Sequence, residues 1–196
     1  MKQVSDAARG ADGLARCPWA LSAPDYGAYH DQEWGTPTHG LKEVFERLTL
    51  EGFQSGLSWL IILRKRENFR RAFAGFELDA VAAMGQADIE RLLGDAGIVR
   101  NRLKIEATIN NARATIAMST PLDEVLWAYA QPHRPPRRTL ADVPGSTPES
   151  LALSKQLKKL GFRFIGPTTA YSAMQAMGVV NDHLVDCWRS TAADQL

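Results

Sequence analysis

Four side chains of the kinds that bind transition metals lie at opposite ends of this sequence: Cys17 and His30 near its start, His183 and Cys187 near its finish. His183 and Cys187 are four residues apart, which on a helix puts them one turn apart on one face. That spacing suits two ligands of one zinc ion. All four together would make a closed Cys2His2 tetrahedron tying the N-terminal segment to the last helix. A closed set leaves no open position for catalysis, so its role would be structural. Two other readings of the cysteines stay open, buried thiols or a disulfide, and a cytoplasmic setting weighs against the latter.

A second group centres on Glu51. Residues 44, 48, 51 and 55 share a face of an expected helix, so a carboxylate falls among residues that should point inward. An inward Glu is costly unless it is paired or used. With Tyr29, Trp34 and Trp59 it describes a pocket for a flat, cationic or polarised ring: aromatic faces attract a cation, and a carboxylate accepts from an exocyclic amine. Trp19 and Tyr26, in irregular sequence, read as cover for the core.

The third group is Leu160 to Tyr171. A Lys- and Leu-rich helix (Ser154 to Leu160) should stop at Gly161, and a second should open with Pro167 at its first position. Between them lies a short apolar hairpin ending at Gly166. The backbone N–H groups of Gly166, Thr168 and Thr169 would then point outward at the positive end of a helix dipole, a place for one phosphate. Lys158, Lys159 and Arg163 flank it, which favours a phosphodiester backbone over a small anion.

The elements that must carry these groups read as helices. One runs from a cap at Thr38 through Val44, Phe45 and Leu48 to Phe53 and ends at Gly56, and a largely buried one follows from Leu57. From Arg64 the pattern breaks into short helices, Glu67 to Ala74, Leu78 to Met84 and Ala87 to Leu93, then a long one, Arg100 to Met118. Asp123 to Ala130 is helical again. Gln131 to Pro148 holds five of the ten Pro and reads as an extended surface connection. No alternating strand pattern or internal repeat occurs. The expected fold class is all-α, one compact domain over residues 16–190, with the helix-hairpin-helix at about 154–178, a mobile extension at 1–15 and a tail at 191–196.

The chain has 196 residues, 45% hydrophobic and 23% charged, with a net charge of +1. It is long enough for one well-buried domain. Near-zero net charge means that any nucleic-acid site must be a local basic patch. Residues 1–15 have no apolar core and no run of about 18 apolar residues occurs, so neither a signal peptide nor a membrane span is expected. With only two Cys, this points to the cytoplasm. Walker loop, nucleophile elbow and dinucleotide fingerprint are all missing, which argues against nucleotide-driven or acyl-transfer chemistry.

Several blocks match a known family in order and spacing: Cys17-Pro18-Trp19, Tyr29 to Gly35, Leu50 to Trp59, Asp95 to Ile98, Gly161 to Thr169 and Asn181-Asp182-His183. From about Arg16 to Cys187 the chain resembles the bacterial 3-methyladenine DNA glycosylase I family of alkylation-repair enzymes, in the helix-hairpin-helix glycosylase superfamily. The resemblance implies one structural Zn2+ held by Cys17, His30, His183 and Cys187. It implies a base pocket of Glu51, Tyr29, Trp34 and Trp59 with Trp19 and Tyr26 close by, Glu51 being the residue to which a catalytic part is assigned. DNA-backbone contacts would come from Lys159, Gly161, Arg163, Gly166, Thr168 and Thr169. The implied partners are alkylated double-stranded DNA and the freed base, 3-methyladenine, with 3-methylguanine a poorer substrate and the protein a monomer. Asp182 lies near the place where many superfamily members carry a catalytic Asp. Beside His183 it reads instead as a helix cap or an orienter of a zinc ligand. Bifunctional relatives carry a Lys nucleophile where this chain has Thr168, so base excision without strand cleavage is expected. The rival readings are a DNA-binding module with no catalysis, which has no reason to bury Glu51 among aromatic residues, and a zinc hydrolase, which needs an open metal position.

Overall fold

The fold was obtained as a computed structural model that describes residues 5–131 and 134–190. Met1 to Val4 and the expected tail at 191–196 lie outside the described residues. The all-α expectation holds but for one short hairpin. Its two-residue strands, β1 (Ala8–Arg9) and β2 (Ala15–Arg16), pair antiparallel. Within the expected extension, residues 5–15 make contacts with the body: the Trp188 amide donates to Ala15 O at 2.9 Å. Arg16 donates to both Asp12 and Asp31 at 2.7 Å.

The helices follow as α1 (Pro24–Gln32), α2 (Leu41–Gln54), α3 (Trp59–Ala72), α4 (Leu78–Ala82), α5 (Gln86–Gly94), α6 (Arg102–Ile116), α7 (Leu122–Trp127), α8 (Pro148–Lys159) and α9 (Pro167–Ala176). Helix α2 is the central one and packs against α3, α6, α7 and α9. Its apolar residues recur at helical spacing, and Val44, Phe45, Leu48 and Phe53 are fully buried. Phe53 meets Phe69 at 4.7 Å between ring centroids, and Phe69, Phe73 and Phe76 continue the row.

The observed bounds depart from the sequence pattern in identifiable ways. Gly40, not Thr38, occupies the N-cap of α2, because φ of 91° there suits only glycine. Helix α3 runs unbroken to Ala72, so the short helix expected from Glu67 is its last half. It is also less buried than expected, with Ile61 and the preceding Leu57 exposed. Helix α8 begins at Pro148 rather than Ser154. The Thr147 hydroxyl accepts from the Ser150 amide at 3.2 Å, and Ser150 Oγ accepts from the Thr147 amide at 2.9 Å, a reciprocal cap that fixes the start. Residues 181–187 are not helical at all, so His183 and Cys187 meet across a turn rather than on a helix face.

The segment from α8 to α9 follows the sequence reading. Gly161 has φ of 92° just past the C-cap Leu160, and the Phe162 amide reaches back to Leu157 O at 3.0 Å. Gly166 is the N-cap of α9 and Pro167 its first residue, with no side chain accepting from the first-turn amides. Helix α6 holds this turn from outside. Asn111 receives the Arg163 amide at 2.8 Å and donates to Arg163 O at 3.0 Å, while Asn110 donates to Gly161 O at 2.7 Å. The same helix sends the buried Lys104 ammonium to Phe53 O and Ser55 O at the end of α2, at 2.9 and 2.6 Å. One rigid element thus sets the hairpin and the end of α2 relative to each other.

Candidate active site and metal centre

The cluster at the two chain ends forms as expected in composition. The ligand atoms of Cys17, His30, His183 and Cys187 all lie within 4.8 Å of one another, and all four residues are buried. Cys187 Sγ is 3.4 Å from His30 Nε2 and 3.6 Å from His183 Nδ1, and Cys17 Sγ is 3.9 Å from His183 Nδ1. With metal bonds of about 2.0–2.3 Å, the edges of a tetrahedral zinc site come to about 3.3–3.8 Å. The outer ring nitrogens supply a second check on the fit. His30 Nδ1 bonds to Asp31 Oδ1 at 2.8 Å, and His183 Nε2 to Trp34 O at 3.3 Å, which leaves the inner nitrogens as free acceptors. Neither cysteine is in a disulfide, and the Cys187 thiol is held below its ordinary range chiefly by the hydrogen bond from Cys17. The donor set fits one zinc ion and offers it no fifth position.

Asp31 is a residue that sequence reasoning missed. Burial pushes its carboxyl up, but Arg16, His30 and Trp188 outweigh this and bring it to about 2. It is therefore ionised at any working pH, a fixed anion that orients His30. The signal was present as a His-Asp pair in the sequence.

Beside the cluster lies a cavity of about 330 Å³. Trp19, Tyr26, Tyr29, Trp34, Glu51 and Trp59 all line it, so the structure brings together every residue proposed for the base pocket. Trp19 packs on Tyr26 at 4.9 Å and edge-on to Trp34 at 5.1 Å, while Tyr29 lies 5.4 Å from Trp59. The metal cluster supports this wall from behind: Trp34 stands edge-on to His183 at 4.6 Å and Trp19 to His30 at 5.1 Å. Gly35, with φ of 75°, lets the two meet, since a Cβ there would fall 2.8 Å from His183 Nε2.

Three buried polar atoms of these residues have no partner: Glu51 Oε2, Tyr29 Oη and Trp59 Nε1. Buried polar groups are almost always paired, so three orphans on residues lining one cavity describe a site awaiting a polar ligand. Burial raises the Glu51 carboxyl to about 8, and only Arg47 opposes it, so the site favours the neutral acid. Tyr29 is raised well above its ordinary value, mainly by burial and then by Glu51.

Asp182 departs from its expected role. It caps no helix and makes no bond to His183. Its buried carboxylate accepts from Tyr171, from Gln175 at 2.8 Å and from Arg137 at 3.0 Å, and it forms part of the cavity wall. The His183 amide is capped by Asn181 instead. Cys17, Gln54, Leu140, Val143, Ser172, Gln175 and Leu184 complete the lining, and no sequence pattern marked Leu140, Val143 or Ser172. The residues proposed for a DNA backbone lie apart from the cavity on the α8–α9 turn. Lys159, Gly161, Arg163, Gly166 and Thr168 are exposed there and Thr169 is half-buried.

Fold and cavity together define a helical protein with an aromatic, carboxylate-bearing pocket sized for one heterocycle and braced by a closed Cys2His2 cluster. The chain belongs to the methyladenine glycosylase family, whose model matches residues 19–190. It is 50% identical over 179 residues to DNA-3-methyladenine glycosylase 1 of Escherichia coli, covering 89% of this chain and 96% of that protein. A crystal structure of 3-methyladenine DNA glycosylase I superposes with a TM-score of 0.86 at 47% identity, covering 88% of this chain and 98% of the other. A variant of 3-methyladenine DNA glycosylase I solved in complex with 3-methyladenine superposes with a TM-score of 0.82 at 35% identity, over 89% and 97% of the two chains.

Proposed function

We propose that this protein is a monofunctional DNA glycosylase that flips 3-methyladenine out of alkylated double-stranded DNA and releases it by hydrolysis, leaving an abasic site. The observation that carries the reading is the set of orphaned polar atoms, Glu51 Oε2, Tyr29 Oη and Trp59 Nε1, on residues lining an aromatic cavity of about 330 Å³. The named activity of the relatives agrees with it.

Methylation at N3 makes the adenine cationic and a good leaving group. Little bond-breaking help is then needed: the C1′–N9 bond breaks with its electrons passing to the base, and water adds to C1′ and loses a proton. The work left to the protein is extrusion and selection. Trp34 and Trp59 stack near the flipped ring, with Trp19 and Tyr26 extending the aromatic wall, and Tyr29 closes the pocket. Glu51 accepts from the N6 amino group, and a cationic ring beside it favours the carboxylate over the neutral acid. Guanine presents an acceptor, O6, where adenine presents that amine, which makes 3-methylguanine the poorer substrate.

The backbone amides of Gly166, Thr168 and Thr169 hold a phosphate beside the lesion, with Arg163 and Lys159 near it and Gly161 setting the turn, so the α8–α9 segment acts as a helix-hairpin-helix. Thr168 offers no amine nucleophile, so no covalent adduct should be trapped by borohydride. Zinc at the Cys2His2 cluster would brace the cavity wall and take no part in the chemistry. The protein acts as a monomer in the cytoplasm; among the described residues no helix is long and apolar enough to cross a membrane.

The test is base release from dimethyl sulfate-treated DNA followed by chromatography of the freed bases. Release of 3-methyladenine is expected. A folded, zinc-loaded protein that releases none would overturn the reading.

A further inference from the structure

Part of the cavity wall belongs to no long helix. Leu140 and Val143 line the cavity from either end of a single turn, the 3-10 helix Leu140–Asp142 and the residue after it. Asp142 closes this turn locally by accepting from the amides of Arg138 and Thr139 at 2.9 and 2.8 Å. A short irregular segment keeps a side chain in place only if its backbone is fixed from outside. One fixing comes from beside the cavity: Arg137 O accepts from the Val185 amide at 2.8 Å and the Arg137 guanidinium reaches Asp182.

The other comes from the far end of the chain. The Asp6 amide donates to Arg138 O at 2.9 Å, and Asp6 Oδ2 accepts from the Leu140 amide at 2.8 Å. These two bonds grip the backbone on both sides of Thr139, directly at the lining residue. The segment carrying Asp6 is itself seated by the β1–β2 hairpin and by Arg16, which bonds to Asp31 behind the metal cluster. Asp6 also lies ahead of residue 19, where the match to the family model begins. The clamp is thus made by a part of this chain outside the family's shared pattern.

We propose that Asp6 is a positioning residue for the base cavity, holding Leu140 and Val143 against the bound base from the N-terminal segment. Leu140 is 47% exposed, so its place in the wall depends on its backbone anchors more than on packing. The expected consequence of losing the clamp is a looser wall, weaker base binding and an unchanged chemical step.

The test uses the full-length protein and two readouts: hydrogen exchange at the Leu140 amide in the ligand-free state, and the Kd for free 3-methyladenine. Asp6→Ala, which loses the side-chain bond and keeps the backbone one, is expected to speed exchange at Leu140 and to raise Kd and KM roughly threefold to tenfold, the scale of one hydrogen bond, with kcat unchanged and Tm lower by no more than a few degrees. Asp6→Asn, which keeps an acceptor oxygen, should stay near wild type. Arg9→Ala loses only a bond within the hairpin, to Gly13 O, and should match wild type too. Unchanged exchange and Kd in Asp6→Ala would overturn the proposal. So would an Asp6→Asn variant as impaired as the alanine, or an equal loss in Arg9→Ala. The choice of ligand rests on the glycosylase reading. A wild type that binds no 3-methyladenine would count against that reading, while the exchange measurement still decides the role of Asp6.

Discussion

The Cys2His2 cluster and the aromatic cavity share a wall, yet they treat their polar atoms in opposite ways. In the cluster the outer ring nitrogens are both held, His30 by Asp31 and His183 by the Trp34 carbonyl, and the inner ones face the two sulfurs. In the cavity next to it, three polar atoms of Glu51, Tyr29 and Trp59 have none. Of the four orphaned buried side-chain atoms among the described residues, three sit on residues lining the cavity and the fourth, Arg189 Nε, does not, so it is the clustering of orphans that marks the site. A closed cluster has nothing left to offer a substrate, whereas an unpaired buried group is a cost that only a ligand can remove.

The sharpest way to break this contrast is to remove the cavity's carboxylate. Glu51→Ala is expected to lower 3-methyladenine excision about a hundredfold, the scale of losing one buried hydrogen bond to a charged group, while Tm holds or rises. Excision at the wild-type rate would mean that the orphaned atoms are not the recognition groups. Next in size is the cluster's outer partner. Asp31→Ala should weaken zinc binding about tenfold to a hundredfold in a chelator competition, yet leave excision by the zinc-loaded protein nearly intact. A loss of excision in the loaded variant would show that the two regions are not separate in role.

A third measurement uses pH. Burial raises Glu51 from its ordinary 4.5 to about 8, so the folded protein keeps a proton that the unfolded chain releases above about pH 4.5. That contribution to stability is fully present at low pH and is lost as pH rises toward 8, by about 1.4 kcal/mol per unit. Glu51→Gln, which cannot ionise, should lie close to the wild-type Tm near pH 5 and exceed it by roughly 10 °C near pH 8 in ligand-free protein. Parallel Tm curves for the two proteins would show that the carboxyl is already ionised in the folded protein. The smallest effect is expected far from both regions: Arg163→Ala should reduce the slope of log affinity against log salt by about 1, and leave the Kd for the free base unchanged.

Much of this was legible in the sequence because it rests on residue types that few other roles use. Two Cys and two His at the chain ends, a Glu on an apolar stripe, and Gly161 with Pro167 bounding a turn each carry their reason locally. What was missed depends on long-range placement. His183 and Cys187 meet in a turn because their partners are 157 and 166 positions away in the chain, and helical spacing could not reveal that. Asp182 looked like a cap from its neighbours in sequence, but its partners come from α9 and from the Pro-rich segment. Leu140 and Val143 carry no mark of a pocket wall, because any apolar side chain could stand there and its backbone anchors decide its place.

The tie between residues 17 and 187 also orders events during synthesis. The early part of the chain carries Trp19, Tyr29, Trp34 and Glu51, but the wall they face also includes Asp182 and Leu184, which leave the ribosome long after them. A nascent chain lacking those residues has neither a cluster nor a closed cavity, so both form only after residues 182–187 have emerged.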